Sequence, residues 1–378
     1  MLRRLIALFS IDLDTTHRVF GLDVLRTIGI LLVIEAHAYH LLVDYFPKQF
    51  LFIPLLDKVN FSFILSGYLI GTTIIKLYNR EDFSLSKIKT FWLRRWVRTI
   101  PLYLIVISVL VILRYSFTTV GFAFPWRHYL FIQNLYYPEA DPYYFYPEGW
   151  SLAVEEWFYF LVPALVLLGH IVLSSFINKR QLLLGIIISI IVVCTALRVH
   201  RALHTPDLDI YTWNIVFRKI VLLRLDTLMF GVLAAYIRYY YRGFWEQHRQ
   251  SAFYLFIVGM AITLLGYPFF LHHSFWLKTF YITQVGIIVM LLVPKLEGMK
   301  TGKGFWLPFA TYLSKVSFCI YLLNRTPILK SMMQLLPARN LPMAIGEYIA
   351  YVLILVLAAT LLHKYVERPI LKLRPPVA

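Results

Sequence analysis

The stretch VLRTIGILLVIEAHAYHLLV, Val24 to Val43, decides the fold. It has the ~20-residue length with which an α-helix crosses a bilayer. Arg26 and His37 lie within it, separated by about three turns at ~3.6 residues per turn, so they share one face roughly 16 Å apart along the axis. A charged and a titratable side chain on one stripe of a membrane helix face a bundle interior or a water-filled cavity rather than lipid. The stripe therefore predicts a polar path from one membrane surface toward the middle.

The rest of the chain agrees with a membrane reading. Of 378 residues, 60% are hydrophobic and 15% charged, and mean hydropathy is +0.68. A soluble domain has about a quarter of its residues charged, so the composition predicts an all-α integral membrane protein. The formal net charge of +17 would suggest nucleic acid in a soluble protein. Here basic residues collecting in cytoplasmic loops account for it, and no nucleic-acid partner is expected. Cys194 and Cys319 sit in apolar stretches and read as inert core residues. Arg3 and Arg4 open the chain, but only a short apolar run follows, without a small-residue cleavage site, so no removable signal peptide is expected.

About ten candidate spans follow, at 24–43, 52–76, 99–115, 151–170, 181–198, 216–238, 251–271, 276–294, 306–328 and 344–364. With the N-terminus inside, most Lys and Arg fall in inside connections. That bias predicts both termini in the cytoplasm and a plasma-membrane, multi-pass protein. No internal repeat is evident. The longest connection, Ser116 to Trp150, is shorter than the about 50 residues of a small domain. Residues 1–378 therefore read as one transmembrane domain, whose chemistry must sit on its helices or short loops.

Four constellations could carry chemistry. Asp23, three residues before Arg26, can pair with it, and His40 shares the face of His37. Glu35 points elsewhere and needs a partner from another helix. A neutral imidazole at the end of a polar cavity can take a proton from an alcohol; the alternative is that Arg26 anchors at the cytoplasmic interface and His37 makes an interhelical hydrogen bond. No third ligand is placed for a metal at His37 and His40. Arg94, Arg95 and Arg98 form a guanidinium cluster suited to phosphates, either of a nucleotide such as coenzyme A or of lipid headgroups. Glu155 and Glu156 follow Trp150 and Ser151 at the start of a span; Ser151 can cap that helix, and intramembrane carboxylates are functional candidates or half of an ion pair with Arg224. Tyr136, Tyr137, Tyr143, Tyr144 and Tyr146, among Glu139, Asp141 and Glu148, suit either sugar stacking or an interfacial aromatic belt. Gly67 and Gly71 are a small-xxx-small pair for close helix packing.

Several of these segments together resemble the acyltransferase 3 family of membrane acyltransferases. Gly21-Leu-Asp-Val-Leu-Arg26 with His37 is similar to its first-helix Arg-x10-His signature. Asn60-Phe-Ser-Phe-Ile-Leu-Ser-Gly-Tyr-Leu-Ile70, Arg94-Arg-x-x-Arg98-x-x-Pro101-x-Tyr103 and Trp150-Ser-Leu-x-Val-Glu-Glu-x-Phe-Tyr159 match its next motifs. Arg224-x-Asp226 with Gly231 fits a later, looser one. The resemblance implies transfer of an acyl group, usually acetyl, from cytoplasmic acyl-CoA as co-substrate to a saccharide hydroxyl, with no permanently bound cofactor. It implies His37 as the central catalytic residue with Arg26 as its companion, and Glu155 or Glu156 orienting the imidazole or the sugar. Donor binding falls to Arg94, Arg95, Arg98 and Tyr103, and acceptor binding to Trp150, Ser151, Arg224 and Asp226. Two features depart from the family. Asn324 stands where relatives often have His in Tyr-Leu-x-His-x-Pro. The chain also stops soon after Val366-Glu-Arg-Pro369, where many relatives continue into an esterase-like domain, so the bundle or a separate partner would complete transfer. The rival class is a glycan or lipid transporter or flippase, because intramembrane Arg, His and Glu also mark transport paths.

Overall fold

Within a bilayer, apolar runs of this length can satisfy their backbone N–H and C=O groups only within themselves, so they fold as helices. The computed structural model describes residues 11–13, 18–45, 57–117, 123–137, 145–206, 209–266, 274–335 and 338–376. All regular elements among them are helical. The longer ones are α1 (Phe20–Ala38), α2 (Val59–Tyr78), α3 (Leu85–Phe117), α4 (Gly149–Leu173) and α5 (Lys179–Leu203). They continue with α6 (Leu225–Tyr240), α7 (Arg249–Leu265), α8 (Tyr281–Gly298), α9 (Trp306–Leu335) and α10 (Leu341–Leu371). Of the described helices, seven are long and apolar enough to cross a membrane: α2, α3, α4, α5, α8, α9 and α10. The other three fall short for identifiable reasons. The first, α1, carries Asp23, Arg26 and Glu35, α6 has 16 residues and α7 has 17.

The connections expected on the basic side do gather at one end of the bundle. Asn79 Nδ2 donates to Tyr240 Oη at 2.7 Å and Lys179 Nζ to the Arg80 carbonyl at 3.1 Å. Lys295 Nζ reaches Gln250 at 2.6 Å, and Gly21 N–H the Met299 carbonyl at 2.9 Å. Arg94 donates to the Pro375 carbonyl, which fastens the C-terminal segment beside α3. Arg3 and Arg4 lie outside the described residues.

Among the described helices, α2 and α6 pack against each other most extensively. A Cβ built on Gly67 would lie 2.0 Å from the Leu228 carbonyl oxygen, and one on Gly231 2.3 Å from that of Ile64. Small residues let the two backbones touch, which is how helices gain packing energy where lipid already matches their apolarity. Gly71 belongs to the same seam, against Val232. Gly231→Val is therefore expected to abolish the folded protein, with an overpacking cost of about 1–3 kcal/mol or more. Gly243→Ala, where a Cβ meets nothing within 4 Å, should leave it intact. Fluorescence-detected size exclusion of detergent extracts would read both; a monodisperse Gly231→Val peak would contradict the seam.

Two buried ion pairs fasten the bundle further. Arg198 and Asp226 pair at 2.7 Å with both side chains at zero exposure, and Arg198 also donates to the Leu223 and Thr279 carbonyls. Arg224 pairs with Asp57 at 2.5 Å and donates to Asn60 Oδ1. Removing one partner of such a pair leaves an uncompensated buried charge, so these are anchors of α5, α6 and the start of α2. Cys194 is packed in the core, as its apolar context predicts.

Candidate active site

The site begins with how α1 disposes its charges. Asp23 does not pair with Arg26, as its spacing suggested. Arg18, just before the helix, reaches Asp23 through two nitrogens, and Ser314 of α9 donates to Asp23 at 2.7 Å. The Asp23 carboxylate is thus satisfied from outside the helix, and Arg26 has no hydrogen-bond partner among the described residues. Thr27 Oγ1 donates to the Ala310 carbonyl at 3.0 Å, holding α1 against α9. Glu35 takes its partner from elsewhere, as expected: Lys58, at the start of α2.

Arg26 and His37 line one cavity of about 820 Å³. Its Arg26 end also receives Arg95 and Arg98 of α3 and Glu155 and Tyr159 of α4. The Arg95 guanidinium lies 5.9 Å from the Phe91 and Tyr159 ring centres. Arg98, like Arg26, has no hydrogen-bond partner among the described residues. Three guanidiniums without a paired carboxylate at one end of a cavity make a seat for an anion. His37, in the last turn of α1, lies toward the other end, where His40, Glu148, Arg218, Lys219 and Arg325 line the wall together with Trp150.

The His37 ring is fixed by Asn324. Past Leu323 the α9 helix widens into a π-turn, Asn324–Lys330, that contains Pro327. Proline has no N–H and crowds the carbonyl four residues back, so the regular ladder breaks there. Glu148 stabilises the widened turn, accepting from the Thr326 N–H and the Thr326 hydroxyl, both at 2.8 Å. Asn324 Nδ2 donates to the Ile320 and Tyr321 carbonyls at 3.3 and 2.6 Å. Carbonyls only accept, so that end of the amide must be the NH2 group. Asn324 Oδ1 is therefore the atom against His37 Nδ1, and an acceptor there requires Nδ1 to carry the ring proton. The lone pair of the neutral imidazole is left on Nε2, the basic tautomer a general base needs.

Several expected site residues do not reach the cavity. Glu156, one residue from Glu155, is buried on another side of α4 and does not line the cavity. Neither carboxylate orients the imidazole: Asn324 does that, and Glu155 instead accepts from Tyr159 Oη at 2.9 Å, which itself meets Ser66 Oγ at 2.5 Å. Tyr103 is fully buried, donates to the His128 carbonyl at 3.2 Å and stacks on Phe131, so it is core. Arg224 and Asp226 are spent on the ion pairs above and also lie off the cavity. Arg94 and Arg95 are neighbours and so diverge around the helix; Arg94 turns to Pro375 and lines no part of the cavity. Ser151 is on the wall but is not a cap. Glu148 is the N-cap residue of α4, and Ser151 donates to Tyr321 Oη at 3.0 Å. In the aromatic loop, Glu139, Asp141, Tyr143 and Tyr144 lie outside the described residues.

Sequence reasoning missed Glu148 as the clamp of the π-turn, Tyr321, and the outer cations. The Thr326-Pro327 step after Asn324 was a readable sign of a broken helix there. For the other residues only tertiary placement shows the role. Cys319 Sγ and His363 Nδ1 both meet Glu367 Oε2, at 3.1 and 2.6 Å. These three could in principle hold a metal, but they already satisfy one another.

Sequence similarity places this chain among known proteins. The profile of an acyltransferase domain family, acyltransferase 3, matches residues 19–364. A protein of Staphylococcus aureus (strain COL) named "Putative O-acetyltransferase" is 27% identical over 237 residues, 57% of this chain and 34% of that one. The peptidoglycan O-acetyltransferase OatA of Listeria monocytogenes is 31% identical over 184 residues, 45% of this chain and 27% of its own. The chain thus spans about a third of the length of the curated relatives it matches. No solved structure matches. With the family profile covering nearly the whole described bundle, including Arg26, His37, Arg95, Arg98 and Asn324, the chain belongs to the acyltransferase 3 family.

Proposed function

We propose that this protein is a membrane O-acyltransferase that moves an acyl group, acetyl foremost, from cytoplasmic acyl-CoA to a hydroxyl of a saccharide on the far side of the membrane. The observation that carries the reading is the single cavity with unpaired guanidiniums at one end and the Nδ1-protonated ring of His37 toward the other. Membership in the acyltransferase 3 family and the O-acetyltransferase names of its relatives support it over a transporter.

The same reading takes the bundle as ten spans in the plasma membrane with both termini cytoplasmic, its outer helices in contact with lipid. Two of the three helices that fall short can cross inside the shelter of the others: the Arg26 and His37 of α1 face the cavity, and most of α6 is buried; α7 is apolar, largely exposed and short only in length. Charged groups are tolerated in a membrane where they face such an interior.

In the proposed reaction the thioester reaches His37 from the Arg26 end. The sugar oxygen attacks the thioester carbon as its proton passes to His37 Nε2; the C–S bond breaks, and the departing thiolate takes that proton from the imidazolium. In the covalent variant Nε2 attacks first and the C–S bond breaks, leaving an acyl-imidazolium that keeps its Nδ1 proton and a CoA thiolate; the sugar oxygen then takes the acyl group, the C–N bond breaks, and the hydroxyl proton passes to the thiolate. Both need the same tautomer. The test is purified full-length protein in detergent with [14C]acetyl-CoA and peptidoglycan fragments, the acceptor class named for one relative. Release of free CoA beyond one equivalent per protein should require acceptor, and label should enter the glycan. Label trapped on protein without acceptor selects the covalent variant. No CoA release, together with vesicles that translocate an intact glycan, would overturn the reading in favour of transport.

A further inference from the structure

A second cavity, of about 310 Å³, adjoins the first at the basic end of the bundle, and Arg26 and Arg98 line both. Arg374, Arg368 and Lys364, from α10 and the segment after it, form another part of its wall, with Arg18 and Lys315 beside them. Against these seven cations stand two carboxylates, Asp12 and Glu367. Both are engaged: Asp12 lies 3.7 Å from Arg368, and Glu367 accepts from His363 and Cys319. The guanidiniums of Arg26, Arg98 and Arg374 have no hydrogen-bond or ion-pair partner among the described residues, and Arg374 Nε is buried without one. The C-terminal segment is held in place by Arg94, which donates to the Pro375 carbonyl.

We propose that this vestibule is the seat for the phosphates of a nucleotide thioester, with the C-terminal segment supplying part of the seat and the pantetheine arm passing between Arg26 and Arg98 into the His37 chamber. This rests on the acyl-CoA reading above and moves the phosphate contacts from Arg94 to Arg374 and its neighbours. Phosphate oxygens match the planar guanidinium fork, and several forks around one small cavity suit a diphosphate better than a single carboxylate. Burial, together with Arg98, Arg95 and Arg94, draws Arg374 down to about 10. Such crowding of like charges is relieved when an anion binds between them. The headgroup of an anionic lipid has the same chemistry, so the test must separate the two sources.

The experiment is calorimetric titration of the full-length protein, in zwitterionic nanodiscs, with CoA and with pantetheine, which has the same arm without the nucleotide phosphates. CoA should bind the tighter, and added salt should weaken CoA alone. Arg374→Glu should weaken CoA by about tenfold to a hundredfold, the worth of one charge-assisted contact, and leave pantetheine unchanged. Arg374→Lys, which keeps the charge, should lose much less and controls for folding. Unchanged CoA affinity in Arg374→Glu, or equal loss for CoA and pantetheine, would overturn the seat. So would displacement of CoA by phosphatidylglycerol added to the discs, which would make it a headgroup site. The seat and the acyl-transfer reading fail separately. A CoA–pantetheine difference that depends on Arg374, without acyl transfer, would keep the seat and remove the enzyme; normal turnover in Arg374→Glu would do the reverse.

Discussion

His37→Gln is expected to lower turnover by about a hundredfold to ten-thousandfold, the range a positioned general base contributes, while the protein stays folded and inserted. Glutamine is close to the length of the imidazole, and its amide can still meet Asn324 Oδ1, so packing at the end of α1 should survive. What is lost is the Nε2 lone pair, for which an amide nitrogen is no substitute. His37 sits in the last turn of α1, and the helix is fastened elsewhere: by Arg18 and Ser314 to Asp23, and by Thr27 to Ala310. Acetyl-CoA affinity should also persist, since the unpaired guanidiniums lie at the other end of the cavity. The checks are CoA release for turnover, titration for donor binding and thermal unfolding for the fold. If His37→Gln lost folded protein while the surviving fraction kept its specific activity, the ring would be an interhelical fastener and no more.

The helical class and the Arg26–His37 stripe were legible in the sequence because both follow from local rules. Apolar runs must form helices in lipid, and residues about three turns apart share a face. Glu35 finding its partner on another element followed from the same geometry. What failed were inferences that let sequence neighbours choose partners. Asp23 looked paired to Arg26, yet Arg18 took it, and that exchange is why Arg26 faces the cavity uncompensated. Arg94 and Arg95 looked like one cluster, yet adjacent helical positions diverge. Arg224 and Asp226, which a functional motif suggested for the acceptor, are consumed by Asp57 and Arg198, which lie far away in sequence. Charges inside a bundle are apportioned by tertiary packing, and spacing along one helix does not report it. The most informative departure was Asn324: its position was visible, but its task appeared only when the π-turn brought it against the ring.

Asn324→Leu is expected to lower turnover by about tenfold to a hundredfold, as loss of an outer partner that orients a reactive histidine commonly does, with donor affinity unchanged. Leucine shares the Cγ branching of asparagine, though it is larger, and offers neither acceptor nor donor, so the change removes the Oδ1 contact together with the Nδ2 donations to the Ile320 and Tyr321 carbonyls. A net hydrogen bond of about 0.5–1.5 kcal/mol then no longer favours the Nδ1-protonated ring. The two tautomers re-equilibrate and the ring is free to turn. The charged groups and the second imidazole that share the cavity with His37 are His40 in the turn just past α1, Lys58 and Asp57 before α2, and Arg218 and Lys219 before α6. Glu148 and Glu155 belong to the α4 region and Arg325 to the π-turn, with Arg26, Arg95 and Arg98 at the far end. Of these, none accepts a hydrogen bond from the His37 ring, so among the described residues Asn324 alone holds the tautomer. The decisive measurement is 15N NMR of histidine-labelled protein, with His37→Gln used to assign the signal. In the native protein Nδ1 should show a protonated-type shift and Nε2 a lone-pair-type shift; in Asn324→Leu both should move toward averaged values. A merely structural asparagine would lower thermal stability on substitution and leave both nitrogen shifts where they were. An unprotonated Nδ1 in the native protein would overturn the assignment outright, because Nε2 would then carry the proton and have no lone pair to give the acceptor.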